Sequence, residues 1–173
     1  KKARVDLGYQ NDYWSRTPLD EAASNGHLEI CQMLIDEMEK NTTLYSDTQI
    51  KDEILNGHDH RATGGGGPLH RATGGGHFSV VQLLLSKTAN PNVVFSDNWS
   101  PLHLACEIRS PLRLSSPKIF EELLKYNADI CIKLKSNEDD KDGFHPLQLA
   151  IQYGHTEIVK LIINDINCEK DSD

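Results

Sequence analysis

The chain lacks any long apolar run and any excess of positive charge, and each absence excludes a class of protein. None of its apolar runs exceeds three residues, whereas a membrane-spanning helix needs about 20. Lys plus Arg number 18 against 26 Asp plus Glu, which leaves a net charge of −8 with neutral histidine. Because nucleic-acid binding needs a basic face, we expect no direct nucleic-acid binding. Because the apolar runs are short, we expect no membrane insertion.

Cysteine is also scarce. The four cysteines are Cys31, Cys106, Cys131 and Cys168, and no two of them form a C-x-x-C pair. Four thiols are too few for a disulfide scaffold, and three of them lie in apolar segments, so we expect reduced thiols in an intracellular, cytoplasmic or nuclear protein. The basic start of the chain has no apolar stretch behind it, which excludes a retained signal peptide. The missing initiator Met favours a piece of a larger protein.

What the sequence does contain is an internal repeat. Hydrophobic residues make up 38% of the chain, enough for a packed core in a single domain over residues 1–173. Four segments share a Pro-Leu pair with Ala three positions after the Leu, and each precedes an apolar, helix-like stretch. The segments are residues 17–27, 68–77, 100–106 and 146–155, and the stretches are residues 28–35, 78–85, 118–124 and 156–163.

The residue types at these spacings predict a pair of helices in each unit. Thr17 or Ser100 before the proline offers a side-chain cap, and proline at the first helical position sacrifices no backbone donor. Leu and the later Ala share the buried face, where the small Ala lets paired helices approach closely. A following Gly suits the left-handed turn that ends a helix, and Asn127 is able to take that conformation in the third unit.

These segments resemble the ankyrin repeat, whose T-P-L-H-x-A and G-H-x-E-[IV]-V-x-L-L-L signatures recur along residues 12–167. Residues 123–130, L-L-K-Y-N-A-D-I, resemble the family's L-L-x-x-G-A-D-V. The resemblance implies an all-α solenoid of stacked helix-turn-helix units joined by β-hairpin-like loops. Ile166-Asn167 looks like the hairpin that leads to a following repeat, so we expect a window of a longer array. The implied repeats cover approximately residues 12–45, 62–94, 95–133 and 140–171.

Uneven spacing of the repeats predicts insertions. The prolines of successive Pro-Leu pairs lie 50, 33 and 45 residues apart. Insertions in repeat proteins map to loops, often on a binding face. The first one contains residues 50–55, which favour a short helix. The insertions cover approximately residues 37–61, 110–117 and 134–140.

One heptapeptide occurs twice. Residues 60–66 read H-R-A-T-G-G-G and recur identically at residues 70–76. The second copy falls in the first helix of the second repeat. Since glycine is a poor helix former, we expect Gly74, Gly75 and Gly76 to fray the end of that helix.

Eight histidines raise the question of a metal site. Family resemblance implies that five of them bond backbone groups within and between repeats, and that His145 is a hairpin residue in the place of the usual Thr. His58 and His60 remain in the first insertion, but no third ligand stands at a suitable spacing, so we predict no metal site. The five histidines are His27, His70, His77, His103 and His155.

No motif points to catalysis or to a cofactor. The glycine runs lack the G-x-x-x-x-G-K-[ST] context of a phosphate loop, and neither G-x-S-x-G nor H-E-x-x-H occurs. Residues 138–143 resemble half of a calcium loop, but the closing bidentate position falls on Leu149. We therefore expect no catalytic residue and no cofactor. An enzyme or metal site confined to residues 37–61 is the remaining alternative.

The resemblance implies that hairpin tips and the concave ends of the first helices bind another protein. Aromatic residues and Arg dominate interface energies, although Trp14, Trp99 and Phe144 fit equally well as hairpin packing. The predicted tip residues are Tyr13, Trp14, Arg16, Ser96, Asp97, Trp99, Lys141 and Phe144, and the predicted helix-end residues are Ser24, Asn25, Glu107, Ile108, Gln152 and Tyr153.

The sequence thus predicts a non-catalytic protein–protein interaction module that acts as a scaffold, adaptor or inhibitor. The acidic residues 138–142 favour a partner with a basic segment and salt-sensitive binding. One alternative is the cytosolic ankyrin region of a membrane channel, serving assembly or gating. Others are an inhibitor similar to the cytoplasmic ankyrin inhibitors of transcription factors, and an adaptor that recruits substrates to a ligase.

Overall fold

The computed structural model describes residues 16–41, 54–57, 66–107, 117–135 and 143–170, and the side chains up to residue 165. The described part is built from paired α-helices joined by turns. A 3₁₀ turn at Ser96–Asn98 and an isolated bridge between Phe95 and Trp99 lie in one of the connections. The helices are α1 (Pro18–Ser24), α2 (Leu28–Lys40), α3 (Pro68–Gly75), α4 (Phe78–Ser86), α5 (Pro101–Cys106), α6 (Pro117–Lys125), α7 (Pro146–Gln152) and α8 (Thr156–Lys170).

The helix pairs stack in chain order. The first helices of the pairs form one row, in which α1 contacts α3, α3 contacts α5, and α5 contacts α7. The second helices form a parallel row from α2 through α4 and α6 to α8. This arrangement confirms the predicted all-α class and the stacking of helix-turn-helix units.

The predicted capping residues begin and end these helices. The Thr17 hydroxyl accepts a hydrogen bond from the Asp20 amide at 3.1 Å, and Ser100 caps α5 in the same way. Gly26, Gly76 and Gly154 have φ between 71° and 75° at the turn between the paired helices. The local signals of the sequence are therefore sufficient to set most helix boundaries.

The core runs along the junction between the two rows of helices. Leu69 and Ala72 of α3, and Leu102 and Ala105 of α5, are buried, as the repeat pattern predicts. Each second helix adds two or more apolar side chains that are almost fully buried, and a buried Leu or Phe contributes about 2 kcal/mol to stability. These side chains are Cys31, Ile35, Val81, Leu84, Phe120, Leu123, Ile158 and Ile162.

The glycine run does not fray helix α3, so that prediction was wrong. The helix includes Gly74 and Gly75 and ends at Gly76, which takes the left-handed conformation at φ 75°. A Cβ on Gly75 would overlap the imidazole of His77, whose Nε2 lies 3.0 Å from the Ser24 carbonyl oxygen of the preceding repeat. Gly75 therefore leaves space for a side chain that ties two repeats together.

The first insertion contributes to the core. Residues 54–56 are helical, and the side chains of Ile54 and Leu55 are buried against the repeats. The Asn56 side-chain oxygen accepts a hydrogen bond from the Asn90 amide at 2.7 Å. This part of the insertion is thus a structural segment, while residues 50–53 of the predicted short helix lie outside the described residues.

The last helix departs from the second helices of the two middle repeats. Helices α4 and α6 each have 9 residues and are followed by a turn, whereas α8 runs for 15 residues to Lys170. Ile166 and Asn167, which resemble the start of a hairpin in sequence, lie inside α8. The prediction of a hairpin at this position was wrong, because no residue here has the positive φ that Thr88 and Asn127 supply after α4 and α6.

Thr88 gives a test of backbone strain. It has φ 69° and an exposed side chain, and β-branched residues are disfavoured in this left-handed region. We expect Thr88→Gly to stabilise the protein by about 0.5–1 kcal/mol and to raise the melting temperature by about 2–4 °C. Asn127→Gly is the matched control and should change the melting temperature less, since Asn tolerates φ 61°. Equal shifts in the two variants would contradict the argument.

The two glycines at the end of α3 give a second test. A Cβ on Gly74 would meet only the Leu104 side chain at 3.9 Å, so Gly74→Ala should raise stability by up to about 1 kcal/mol through helix propensity. Gly75→Ala should be less stable than Gly74→Ala by at least about 1 kcal/mol, because the His77 ring must leave the Ser24 carbonyl. Urea unfolding of both variants measures this difference, and equal stabilisation would refute the proposed role of Gly75.

Candidate functional site

The hairpins that carry the predicted binding residues are anchored by buried histidines. The His103 Nε2 donates to the Phe144 carbonyl oxygen at 3.1 Å, in the hairpin of the next repeat. Because a carbonyl oxygen only accepts, Nε2 carries the proton and Nδ1 is left to accept from the Ser100 amide at 3.3 Å. One imidazole therefore holds both its own helix cap and the following hairpin.

His70 makes the same bond to the following hairpin one step earlier in the stack, although the cap of its own helix is Gly67, which has no side-chain bond. Its Nε2 donates to the Trp99 carbonyl oxygen at 3.2 Å, and its ring meets the Phe95 ring edge-on. Burial disfavours the charged imidazolium and lowers the pKa of both His70 and His103 to about 4. Both rings are consequently neutral at physiological pH, and for His103 the acceptor role of Nδ1 also requires the neutral ring.

The first repeat has Asp20 where the second and third have His70 and His103. Its carboxylate accepts from the Thr17 amide at 2.8 Å and faces the Arg71 guanidinium of the next repeat at 3.6 Å. Burial raises the pKa of Asp20 and lowers the pKa of Arg71, while their attraction opposes both shifts. An ion pair thus takes the place of the histidine bond between the first two repeats.

Neighbouring hairpins also bond to each other through their backbones. The Lys135 amide donates to the Asp97 carbonyl oxygen of the preceding hairpin at 2.8 Å, and within its own hairpin the Leu134 amide donates to the Phe144 carbonyl oxygen at 3.0 Å. The Asn98 side chain adds a bond to the Lys133 carbonyl oxygen at 3.3 Å. The backbones of these two hairpins are therefore fixed relative to one another before any partner binds.

The two described tip aromatics have different environments. The Trp99 side chain is half-buried, packs on the core, and meets the His103 ring at a centroid distance of 6.0 Å. The Phe144 side chain is 41% exposed, and its carbonyl oxygen accepts the bonds from His103 and Leu134. Trp99 is thus in large part a packing residue, whereas Phe144 presents an apolar ring to solvent.

The predicted residues of the first repeat lie around the end of α1. Arg16 is half-buried, and its Nη1 donates to the Glu21 carboxylate at 3.0 Å. The exposed Asn25 donates to the Glu21 carbonyl oxygen at 2.8 Å, and the Ser24 carbonyl oxygen accepts from His77. Arg16 and Asn25 are therefore brought together through Glu21.

The predicted helix-end residues of the later repeats continue along the row of first helices. Ser24 ends α1 and Gln152 ends α7, while Glu107 follows directly after α5. Gln152 and Tyr153 are exposed, and Glu107 is half-buried. Four predicted binding residues lie outside the described residues: Tyr13, Trp14, Ile108 and Lys141.

Sequence reasoning missed a ladder of asparagine bonds beneath the hairpins. The Asn92 side-chain oxygen accepts from the Asp129 amide at 2.6 Å, and its amide nitrogen donates to the Asn127 carbonyl oxygen at 3.0 Å. Asn56 makes the equivalent bond to the Asn90 amide. The sequence signal for the Asn92 bonds was the spacing Asn90-Pro91-Asn92, in which one asparagine follows another by two positions.

The described residues contain no grouping of three or more His, Cys, Asp or Glu side chains that could hold a metal ion. His58 and His60, and most of residues 37–61, lie outside that part of the chain. Burial raises the pKa of the Cys31 thiol to about 11 and of the Cys106 thiol to about 12, which makes both poor nucleophiles at neutral pH.

Across the described stretches, each helix is either too short or too polar to cross a bilayer.

The neutral, buried histidines give a test in pH. Between pH 6.5 and 4, His70 and His103 bind protons in the unfolded chain but stay neutral in the folded protein. The free energy of unfolding should therefore fall as the pH is lowered. Each histidine contributes at most about 1.4 kcal/mol per pH unit to this slope. The variant His103→Gln introduces the residue that the fourth repeat has at this position, Gln148. It should remove the contribution of His103 to the pH slope of the free energy of unfolding, measured by urea unfolding across this range.

The exposed His27 provides the matched control, because His27→Gln removes a histidine without removing a buried ring. The raised pKa of Asp20 acts in the opposite direction as it takes up its proton. The difference in slope between the variants and the wild-type protein is therefore the quantity to compare. An unchanged slope in His103→Gln would contradict the assignment.

Known proteins share this arrangement of repeats. The chain matches the family of ankyrin repeats (3 copies) over residues 44–134 and 69–173, and that of ankyrin repeats (many copies) over residues 1–35. It is 31% identical over 86 residues to the ankyrin repeat protein FPV031 of fowlpox virus (strain NVSL), covering 50% of this chain and 23% of that protein. It is 25% identical over 162 residues to the ankyrin repeat protein nuc-2 of Neurospora crassa, covering 94% of this chain and 12% of that protein.

The chain therefore spans less than a quarter of the length of either relative. The family matches cover most of its residues, and they fall on the same helix pairs whose hairpins the buried histidines connect. The chain belongs to the ankyrin repeat family, whose repeats are generally protein–protein interaction modules and are typically non-catalytic.

Proposed function

We propose that this chain acts as a scaffold or adaptor that binds a partner protein across its hairpin tips and the exposed ends of its first helices. The observation that carries this proposal is the fixed hairpin backbone, which is bonded internally between Leu134 and Phe144 and is bonded to the preceding repeat through Asp97 and His103. A surface that is ordered before binding loses little conformational entropy when the partner arrives.

The side chains on this surface suit a protein partner. Phe144 offers an exposed aromatic ring, and Tyr153 and Gln152 combine an aromatic and an amide group at the end of α7. Arg16 and Glu21 add charged groups at the end of the array that holds α1. Exposed aromatics next to polar groups with fixed backbones are typical of residues that dominate binding energy.

The proposal extends to an inhibitor, since an inhibitor would present the same surface to its target. Residues 138–142, whose acidic character favours a basic partner segment, lie outside the described residues, so their contribution rests on sequence alone. The described part of the first insertion packs Ile54 and Leu55 into the core, which supports a structural role there over a catalytic one. We place this activity in the cytoplasm or nucleus, where buried thiols such as Cys31 and Cys106 stay reduced.

A single aromatic substitution tests the proposed surface. Phe144→Ala removes an exposed ring without touching the hairpin backbone bonds, so we expect it to weaken partner binding at least about tenfold. The partner would first be captured from a eukaryotic cytosolic extract with the wild-type chain and identified by mass spectrometry. Its dissociation constants for the wild-type chain and the variant would then be measured by calorimetry.

Tyr126→Ala is the matched control. Tyr126 lies just after α6 in the row of second helices, and its side chain is 39% exposed, close to the value for Phe144. We expect this variant to keep wild-type affinity. Equal affinity for both variants would refute the tip surface, and circular dichroism must first show that the two variants are equally helical.

A further inference from the structure

An open groove lies between the third and fourth repeats, and its lining includes His145 but not the tip residue Phe144. It encloses about 670 Å³, a volume suited to a small ligand or to a few side chains of a peptide. One wall is formed by the end of α6 and the turn that follows it, and the other by the start of α7 and the middle of α8. Its apolar lining consists of Leu124, Ala128, Ile130, Leu147 and Ile162.

The groove is open because α8 does not turn. At the corresponding junction one repeat earlier, the turn after α6 closes over Asn92 through bonds from the Asp129 amide and to the Asn127 carbonyl oxygen. In the fourth repeat the chain continues as helix to Lys170 and makes no such turn. The described residues of the fourth repeat therefore form no turn that covers the surface beside Asp129 and Cys131.

The charged side chains along the groove are acidic. Asp129, at the end of one wall, is exposed, and Asp165, on α8, is half-buried. Neither Lys nor Arg is among its described lining residues, and the other titratable lining groups are His145 and Cys131. An apolar floor between two carboxylates fits an aliphatic side chain that is flanked by positive charges.

The same charge argues against residues 136–142 and 171–173, and against a second copy taken as a whole, as the occupant. Residues 136–142 contain four carboxylates and one lysine, and residues 171–173 read Asp-Ser-Asp. A second copy of the chain carries the same net charge of −8. Each of these occupants would bring further negative charge next to Asp129 and Asp165, which is unfavourable.

We propose that this groove binds a short peptide segment of a partner protein in which leucine or a similar aliphatic residue is flanked by lysine or arginine. The proposal rests on the proposed function, because it names the chemistry of a segment that the partner of the interaction module would present. The aliphatic side chain enters between Leu124, Leu147 and Ile162, and the flanking cations pair with Asp129 and Asp165.

A defined peptide tests this proposal without the natural partner. The probe is a fluorescein-labelled peptide of two leucines with two lysines on each side, and its binding to the full chain is followed by fluorescence anisotropy. We expect saturable binding that weakens about tenfold for the double variant Asp129→Asn, Asp165→Asn. Asparagine keeps the acceptor that Asp129 offers to the Cys131 amide at 2.8 Å. Replacing both leucines of the peptide by serine should weaken binding by a similar factor.

The matched control removes two charges at the other end of the array. Glu29→Gln and Glu37→Gln, both exposed on α2, should together change the dissociation constant less than twofold. Equal weakening by both double variants would overturn the proposal, because attraction to overall negative charge would then explain the binding. Absence of saturable binding would overturn it as well, as would an unchanged dissociation constant after both leucines are replaced by serine.

A single-residue variant distinguishes the loss of a binding charge from misfolding. Asp165→Lys reverses one charge in the latter half of α8, where a cation favours the helix, and leaves the Asp129 turn intact. It should weaken peptide binding about tenfold at an unchanged melting temperature, and unchanged affinity would overturn the proposal. Absence of peptide binding by the wild-type chain, together with Phe144-dependent capture of a partner, would refute the groove and leave the proposed function standing.

Discussion

A hydrogen bond from a buried imidazole to the backbone of the following repeat is the interaction on which the arrangement of this protein depends. His70 and His103 each bond the carbonyl oxygen of the residue just before the next helix cap, Trp99 and Phe144 respectively. The bond fixes the distance between first helices and, with it, the position of each hairpin. Because a helix pair alone leaves its apolar face exposed, stacking and hairpin position are established together.

The chain departs from this scheme at both ends of the described array. Asp20 cannot donate as histidine does, and the pairing with Arg71 replaces a neutral bond with a buried ion pair whose desolvation offsets much of its attraction. In the fourth repeat Gln148 caps the His145 amide at 2.8 Å. The second and third repeats thus carry a histidine at this position that makes a neutral bond to the next hairpin, whereas the first and fourth carry Asp20 and Gln148.

The same stacking separates two kinds of surface. At the hairpins, backbone bonds between neighbours leave side chains such as Phe144 exposed over a fixed main chain. At the junction beside α8, the missing turn leaves apolar side chains uncovered between Asp129 and Asp165. The first surface follows from the regular repeat, and the second from its interruption.

The sequence by itself determined the helix pairs, their caps and their order. Pro after Thr17 or Ser100, the Leu and Ala of each first helix, and the left-handed Asn127 act within a few residues, so local chemistry was sufficient. The resemblance to ankyrin repeats also implied that His70 and His103 bond backbone groups, which is confirmed. The glycine run misled this reasoning, because intrinsic propensity argues against a helix at Gly75, whereas the His77 ring of the same repeat needs the space of a missing side chain.

Only the tertiary structure decided which exposed-looking residues are free to bind. Trp99 and Phe144 have similar places in their repeats, yet Trp99 packs on His103 and Phe144 extends to solvent, a difference set by contacts between distant residues. The groove likewise depends on the straight course of α8 past the place where α6 turns. Local patterns specify the repeat, but exposure depends on which neighbour covers each side chain, and that is a property of the stack.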